Sequence, residues 1–284
     1  MKRFFAALVF ASFLLVQNAF ASGLADGLRA YYQKHWDDAS QNFQQAMKAD
    51  PNDSLALVYY IVTTFWLGTS EREIRNLEDA LIDNPNDQLT DTRLGYFYYT
   101  KSLVHGQKPD KASAELRQAA KLGTSSLVHT GLGIVDFDLG NFNRAKKELA
   151  RAMDLNAKDV LAYEYMGRIL LSFDSDATSA LNYFQQEKSL APNYPDGYYY
   201  CASAQDALGK KDEAISDYNE TIHLDPLGIG RGLDAHISLG DLYLRYKQYD
   251  EARKALKDAL AIDPNNQVIK DHLADVDKQQ KAKH

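Results

Sequence analysis

The 284-residue chain has a single cysteine, Cys201, so it cannot form an internal disulfide framework and must be held together by packing. The same scarcity argues against a thiolate zinc site. The seven histidines, at positions 35, 105, 129, 223, 236, 272 and 284, supply no His-Glu-x-x-His pair either. Positive charge is also short, with 32 Lys and Arg against 39 Asp and Glu and a net charge of -7. A phosphate backbone needs a clustered basic surface, so nucleic acid and acidic membranes are not expected partners. No nucleophile elbow or phosphate loop occurs, and no cofactor or metal is expected. Long apolar runs are missing too. The uncharged stretch Phe4 to Val16 falls short of the roughly 20 residues a membrane-spanning helix requires.

What that stretch does resemble is a signal peptide. Lys2 and Arg3 precede it, and Ala19-Phe20-Ala21 ends it with small residues where a signal peptidase reads. Cleavage is expected after Ala21, making the protein exported, periplasmic or secreted; a retained short anchor is the alternative. Loss of residues 1-21 removes two cations and no acid, leaving a net charge of -9 in place of -7. The remaining chain should fold, since 45% of the whole sequence is hydrophobic and 25% charged.

The dominant signal is internal repetition. Leu239-Gly240 with Tyr243 is followed by Ala252, Leu256, Ala259 and Pro264. Parts of that series recur at Ala39, Phe43, Ala46 and Pro51, at Leu77, Ala80 and Pro85, and at Ala214, Tyr218, Thr221 and Pro226. Weaker copies lie at Ala112, Leu116 and Ala119, at Ala145, Leu149 and Ala152, and at Ala180, Phe184 and Pro192. Seven units are therefore expected, at 20-53, 54-87, 88-123, 126-159, 160-194, 195-228 and 233-266, with a capping helix and tail over 267-284. Gly27, Gly95, Gly133, Gly167, Ala202 and Gly240 share one place in the first helices. Small residues there let a second helix approach closely, with Phe43, Leu149, Phe184, Tyr218 or Leu256 filling the space between. Repeat two departs from this: Ile61 and Glu73 stand where small residues belong, so either its helices sit further apart or its register is displaced. Repeat three carries extra residues around Leu103 to Lys108, which should lengthen its internal turn.

This series resembles the tetratricopeptide repeat. The resemblance implies an all-α, right-handed superhelical solenoid of helix-turn-helix units, in which the first helices line a concave groove that holds a protein or peptide partner. Carried over place by place, the groove's N-terminal half is apolar and aromatic and includes Tyr31, Phe65, Tyr96, Tyr99 and Phe137. Its C-terminal half is polar, with Glu164, Arg168, Asp196, Asp206 and Asp241. Two readings of the aromatic half stand side by side: an anchor pocket for a partner, or rings covered internally by tight superhelical curvature or by the signal-proximal helix. The aspartates of the polar half would attract basic segments.

The function implied is a non-catalytic interaction scaffold or assembly factor outside the cytoplasm. The competing class is an enzyme or regulatory subunit acting on an envelope polymer, with Glu164 and Asp196 as its acid-base pair. Of the other reactive groups, Cys201, His129 and His236 fall at packing places. Gly228-Ile229-Gly230-Arg231-Gly232 precedes a helix and is the nearest approach to a glycine-rich anion site, though it lacks the rest of any nucleotide fingerprint.

Overall fold

The computed structural model describes residues 23-282. The expected signal peptide, and the last two residues of the tail, lie outside that range. All regular structure among the described residues is helical. The first helix, α1, is helical over 23-32. It is followed by α2 (Trp36–Ala49), α3 (Ser54–Trp66), α4 (Ser70–Asp83), α5 (Gln88–Val104), α6 (Asp110–Leu122), α7 (Ser126–Asp138) and α8 (Phe142–Leu155). Then come α9 (Val160–Ser172), α10 (Ala177–Leu190), α11 (Pro195–Ala207), α12 (Lys211–Leu224), α13 (Gly232–Arg245), α14 (Tyr249–Ile262) and α15 (Gln267–Lys281). The chain divides into two compact units, one through Ile169 and one from Leu170 onward.

Helix pairing follows from the alternation of small and large side chains. A methyl group added to Gly27 would lie 2.6 Å from the Phe43 ring, and one on Gly95 would lie 2.7 Å from Leu116 Cγ. On Gly133 it would lie 2.6 Å from Leu149 Cδ2, and on Gly240 2.6 Å from Leu256 Cγ. Each glycine is thus the socket for the large side chain of the following helix, and those side chains are fully buried. Burying one such side chain contributes roughly 1.5 to 3 kcal/mol.

Two kinds of turn punctuate the pairs. Between the first and second helix of each pair, one residue adopts a left-handed backbone: Lys34, Gly68, Gly106, Gly140, Ser175, Gly209 and Lys247, with φ between 57° and 74°. Between successive pairs, side chains cap the helix that follows. Asp53 accepts from the Ala56 amide at the start of α3, Asp87 from Leu89 at the start of α5, and Asn266 from Ile269 at the start of α15.

The irregular repeats behave according to their residues. Ile61 is completely buried in the place a glycine takes elsewhere, and α3 and α4 touch at few points, whereas α5/α6, α7/α8, α11/α12 and α13/α14 pack along their length. In the third pair the extra residues go partly into the helix: α5 has 17 residues where α3 and α7 have 13. The rest lengthens the link over 105-109. At the other end, Ile269 and Val276 of α15 are buried against Leu256 and Ala259, covering the last apolar face.

Candidate functional site

The first helix of each pair carries the places that the sequence assigns to a groove, and the two units treat those places differently. In the N-terminal unit most of them are shut. Tyr96 is 2% exposed, and its hydroxyl donates to the Leu127 carbonyl at 3.0 Å, from α5 to α7. Tyr99 is buried and donates to Asp138, and burial raises its hydroxyl pKa far above the ordinary value. Tyr31 is buried in an edge-to-face cluster with Tyr32, Trp36 and Tyr59, at centroid distances of 5.2, 5.3 and 4.8 Å.

A buried polar knot locks this face. The Asp159 carboxylate accepts from Ser54 Oγ at 2.7 Å and from Thr130 Oγ1 at 2.6 Å, joining α3, α7 and the turn into α9 across 105 residues of sequence. Burial raises the pKa of Asp159, and with Asp50 and Asp159 nearby it pushes Asp53 up to about 6. Of the two readings of the aromatic half, Tyr31, Tyr96 and Tyr99 thus follow internal cover, because inward helices this close leave no room between them. Phe65 and Phe137 remain half-buried. Phe137 packs edge-on against Tyr165 at 5.2 Å, with the Arg168 guanidinium 4.7 Å above its ring. Arg168 in turn donates to Glu164 at 3.0 Å, and Glu164 is 3% exposed.

In the C-terminal unit the inward places of α11 and α13 are more open. Tyr199, Ser203, Asp206, Ile237, Asp241 and Leu244 are all half-buried. The expected free acidic surface is absent, because the aspartates have basic partners. Asp196, which is buried, accepts from Arg231 Nε at 2.9 Å; Asp206 is held by Arg245; and Asp241 lies 2.7 Å from His272 Nδ1 of α15. Burial raises the pKa of Asp241, and His272 and Arg245 offset part of that rise. Burial alone would lower the pKa of Arg231. The Asp196 carboxylate, Tyr200 and Asp234 outweigh it and hold the guanidinium charged beyond its ordinary range.

Sequence reasoning missed these cations. Asp196 and Arg231, like Asp206 and Arg245, stand about one repeat length apart, and that spacing was the available signal.

The glycine-rich segment before α13 also has an internal explanation. The fully buried Asp225 carboxylate accepts from the amides of Ile229, Gly230 and Gly232 at 3.0, 2.7 and 2.8 Å. This nest of amides is filled by the chain's own anion, and a side chain at Gly232 would collide with the Asp225 carbonyl at 1.9 Å.

The reactive-looking residues are engaged or buried. Cys201 is fully buried, and burial pushes its thiol up to about 12. His129 pairs with Glu148 at 2.8 Å, and burial lowers the pKa of His236. Among the described residues, no three His, Cys, Asp or Glu side chains converge in a way that could hold a metal, and no helix is long and apolar enough to cross a membrane.

Residues 233-266 match the family model for the tetratricopeptide repeat. Among curated sequences, the chain is similar to Hsp70-Hsp90 organizing protein 1 of Glycine max, at 23% identity over 247 residues, 87% of this chain and 42% of that protein. It is also similar to the BBSome complex member BBS4 homolog of Drosophila melanogaster, at 26% identity over 144 residues, 48% of this chain and 29% of that protein. The chain spans less than half the length of either. Among solved structures, its fold matches a chain of the APC/C Cut9-Hcn1 hetero-tetramer with a TM-score of 0.67 at 19% identity, covering 90% of this chain and 48% of that one. It also matches YrrB, described as a TPR protein with an unusual peptide-binding site, with a TM-score of 0.51 at 21% identity, covering 68% of this chain and 95% of that one. The glycine sockets, the left-handed turns and these matches together mark residues 233-266 as a tetratricopeptide repeat and give the described residues the fold of tetratricopeptide-repeat proteins.

Proposed function

We propose that the protein is a non-catalytic interaction scaffold working outside the cytoplasm, and that it holds a partner peptide or helix along the inward side of α11, α13 and α15. The observation that carries this is the half-open row Tyr199, Ser203, Asp206, Ile237, Asp241 and Leu244, apolar and charged side chains alternating on first helices. Its ion pairs suit exchange. The Arg245 side chain is 54% exposed and the His272 side chain 32%, so a basic side chain of a ligand can displace either from its aspartate. The names of the similar proteins, an organizing protein, a complex member and a peptide-binding TPR protein, support the same role. The envelope-enzyme alternative gains no support from its two carboxylates, since Glu164 is bound to Arg168 and Asp196 to Arg231.

Photo-crosslinking tests the assignment. With benzoylphenylalanine at Ile237, native extract should yield discrete adducts that Asp206→Arg with Asp241→Arg weakens, and the same probe at the exposed Lys257 of α14 should yield none. Equal labelling from both positions would refute the inward-face site. Export rests on Lys2, Arg3, the apolar stretch and Ala19 to Ala21, and it predicts a mature chain beginning at Ser22. Intact mass of the protein from its native host would show whether residues 1-21 are gone.

A further inference from the structure

The loose second repeat leaves a cleft of about 390 Å³ between α2, α3, α4 and α5, within the range of small-ligand sites. Its apolar walls are Met47, Leu57, Leu77 and Phe97. The polar groups on it are mostly satisfied: Gln44 donates to the Tyr60 hydroxyl at 3.3 Å, and Glu73 lies 3.6 Å from Arg72. Arg93 is the exception. Four arginines among the described residues are more than about two-thirds covered, and three of them are matched to carboxylates: Arg168 to Glu164, Arg231 to Asp196 and Arg253 to Asp277. Arg93 lines the cleft with no hydrogen-bonded or ion-paired acid. Lys48, also unpaired, stands at the same cleft. In a chain of net charge -7, a partly buried cation whose nearest acid, Asp87 at the start of its own helix, acts on it without a direct ion pair, beside an apolar hollow, is a feature that folding alone does not require.

We propose that this cleft receives an apolar side chain of a partner polypeptide together with a neighbouring carboxylate, which pairs with Arg93. The apolar walls give contact area, and the guanidinium fixes orientation through a bidentate pair that a neutral amide cannot reproduce. The site rests on the scaffold reading only in taking its ligand to be polypeptide, and it uses none of the inward residues of the C-terminal unit.

The test uses the full-length chain and fluorescein-labelled, end-blocked peptides with a Leu-Phe-Asp core in a Gly-Ser background. Comparison peptides carry Leu-Phe-Asn or Ser-Ser-Asp instead. Fluorescence anisotropy should show the Leu-Phe-Asp peptide binding about tenfold more tightly than Leu-Phe-Asn, as a charge-assisted pair requires. Arg93→Gln should abolish that preference, with an unchanged helical spectrum and melting point showing that it still folds. Three results would overturn the proposal: equal affinity for the Asp and Asn peptides, equal affinity for Ser-Ser-Asp, or no binding of Leu-Phe-Asp up to about 1 mM. Displacement of the peptide by octanoate at equal concentration would overturn the polypeptide assignment in favour of a small amphiphilic acid. The preference between defined peptides is read whether or not a partner occupies the inward face, so failure here is distinct from failure there.

Discussion

In the N-terminal unit the inward helix places carry aromatic rings and hydroxyls that pack on one another, with Ser54 and Thr130 drawn to a single buried carboxylate at Asp159. In the C-terminal unit the corresponding places carry aspartates, and arginine or histidine from the next repeat reaches them with part of each side chain still in water. Aromatic rings gain by excluding solvent and therefore close a curved helical face. Charged groups lose by desolvation and therefore hold one open. The same repeat thus yields a structural half and an accessible half without any change of backbone plan.

Four substitutions test this contrast, beginning with the largest effect. Asp159→Ala leaves two buried hydroxyls without an acceptor and should destabilise the N-terminal unit by about 3 kcal/mol. Hydrogen exchange should report the loss in α3 and α7 and leave α13 and α14 protected; equal loss in both units would mean that they do not melt separately. Gly240→Leu drives a side chain into Leu256 and should cost the C-terminal unit about 2 kcal/mol, read as a lower melting temperature.

The third prediction concerns pH. Burial, reinforced by Asp50 and Asp159, raises the Asp53 carboxyl from 3.8 to about 6, and Asp91, Glu115 and Asp159 of the same unit are shifted upward as well. Between those two Asp53 values the folded chain keeps a proton that the unfolded chain releases. The stabilisation is therefore present on the acid side and lost as pH rises through about 6. Asp53→Asn, which retains the helix cap, should remove most of this pH dependence; an unchanged slope between wild type and variant in melts from pH 4 to 7 would contradict the assignment. The smallest effect is expected from Lys247→Gly, which relieves a left-handed non-glycine turn and should raise stability by about 0.5 kcal/mol, visible as a small rise in denaturant midpoint.

The fold was legible because its determinants are short-range. Gly27 with Phe43, or Gly240 with Leu256, lie about half a repeat apart, so the sequence itself displays both members of each packed pair. The spreading of repeat two was readable from Ile61 for the same reason. Which groove places stay accessible was not legible in that way, since it depends on curvature accumulated over several repeats. Nothing near Ser54 announces an acceptor 105 residues on. The charges of the polar half were visible one at a time, but their pairing with Arg231, Arg245 and His272 required knowing which side chains of neighbouring repeats meet.

The Asp225 nest has a consequence for ligand choice. Backbone donors ahead of a helix are an open invitation to phosphorylated compounds, and nucleotide-binding folds depend on keeping them vacant. Here a resident carboxylate occupies the seat, so an incoming phosphate would face both spent donors and like-charge repulsion. Arg231, tethered by the same loop, is aimed at Tyr200 and Asp196 instead, and the segment works as a rigid joint between successive helices.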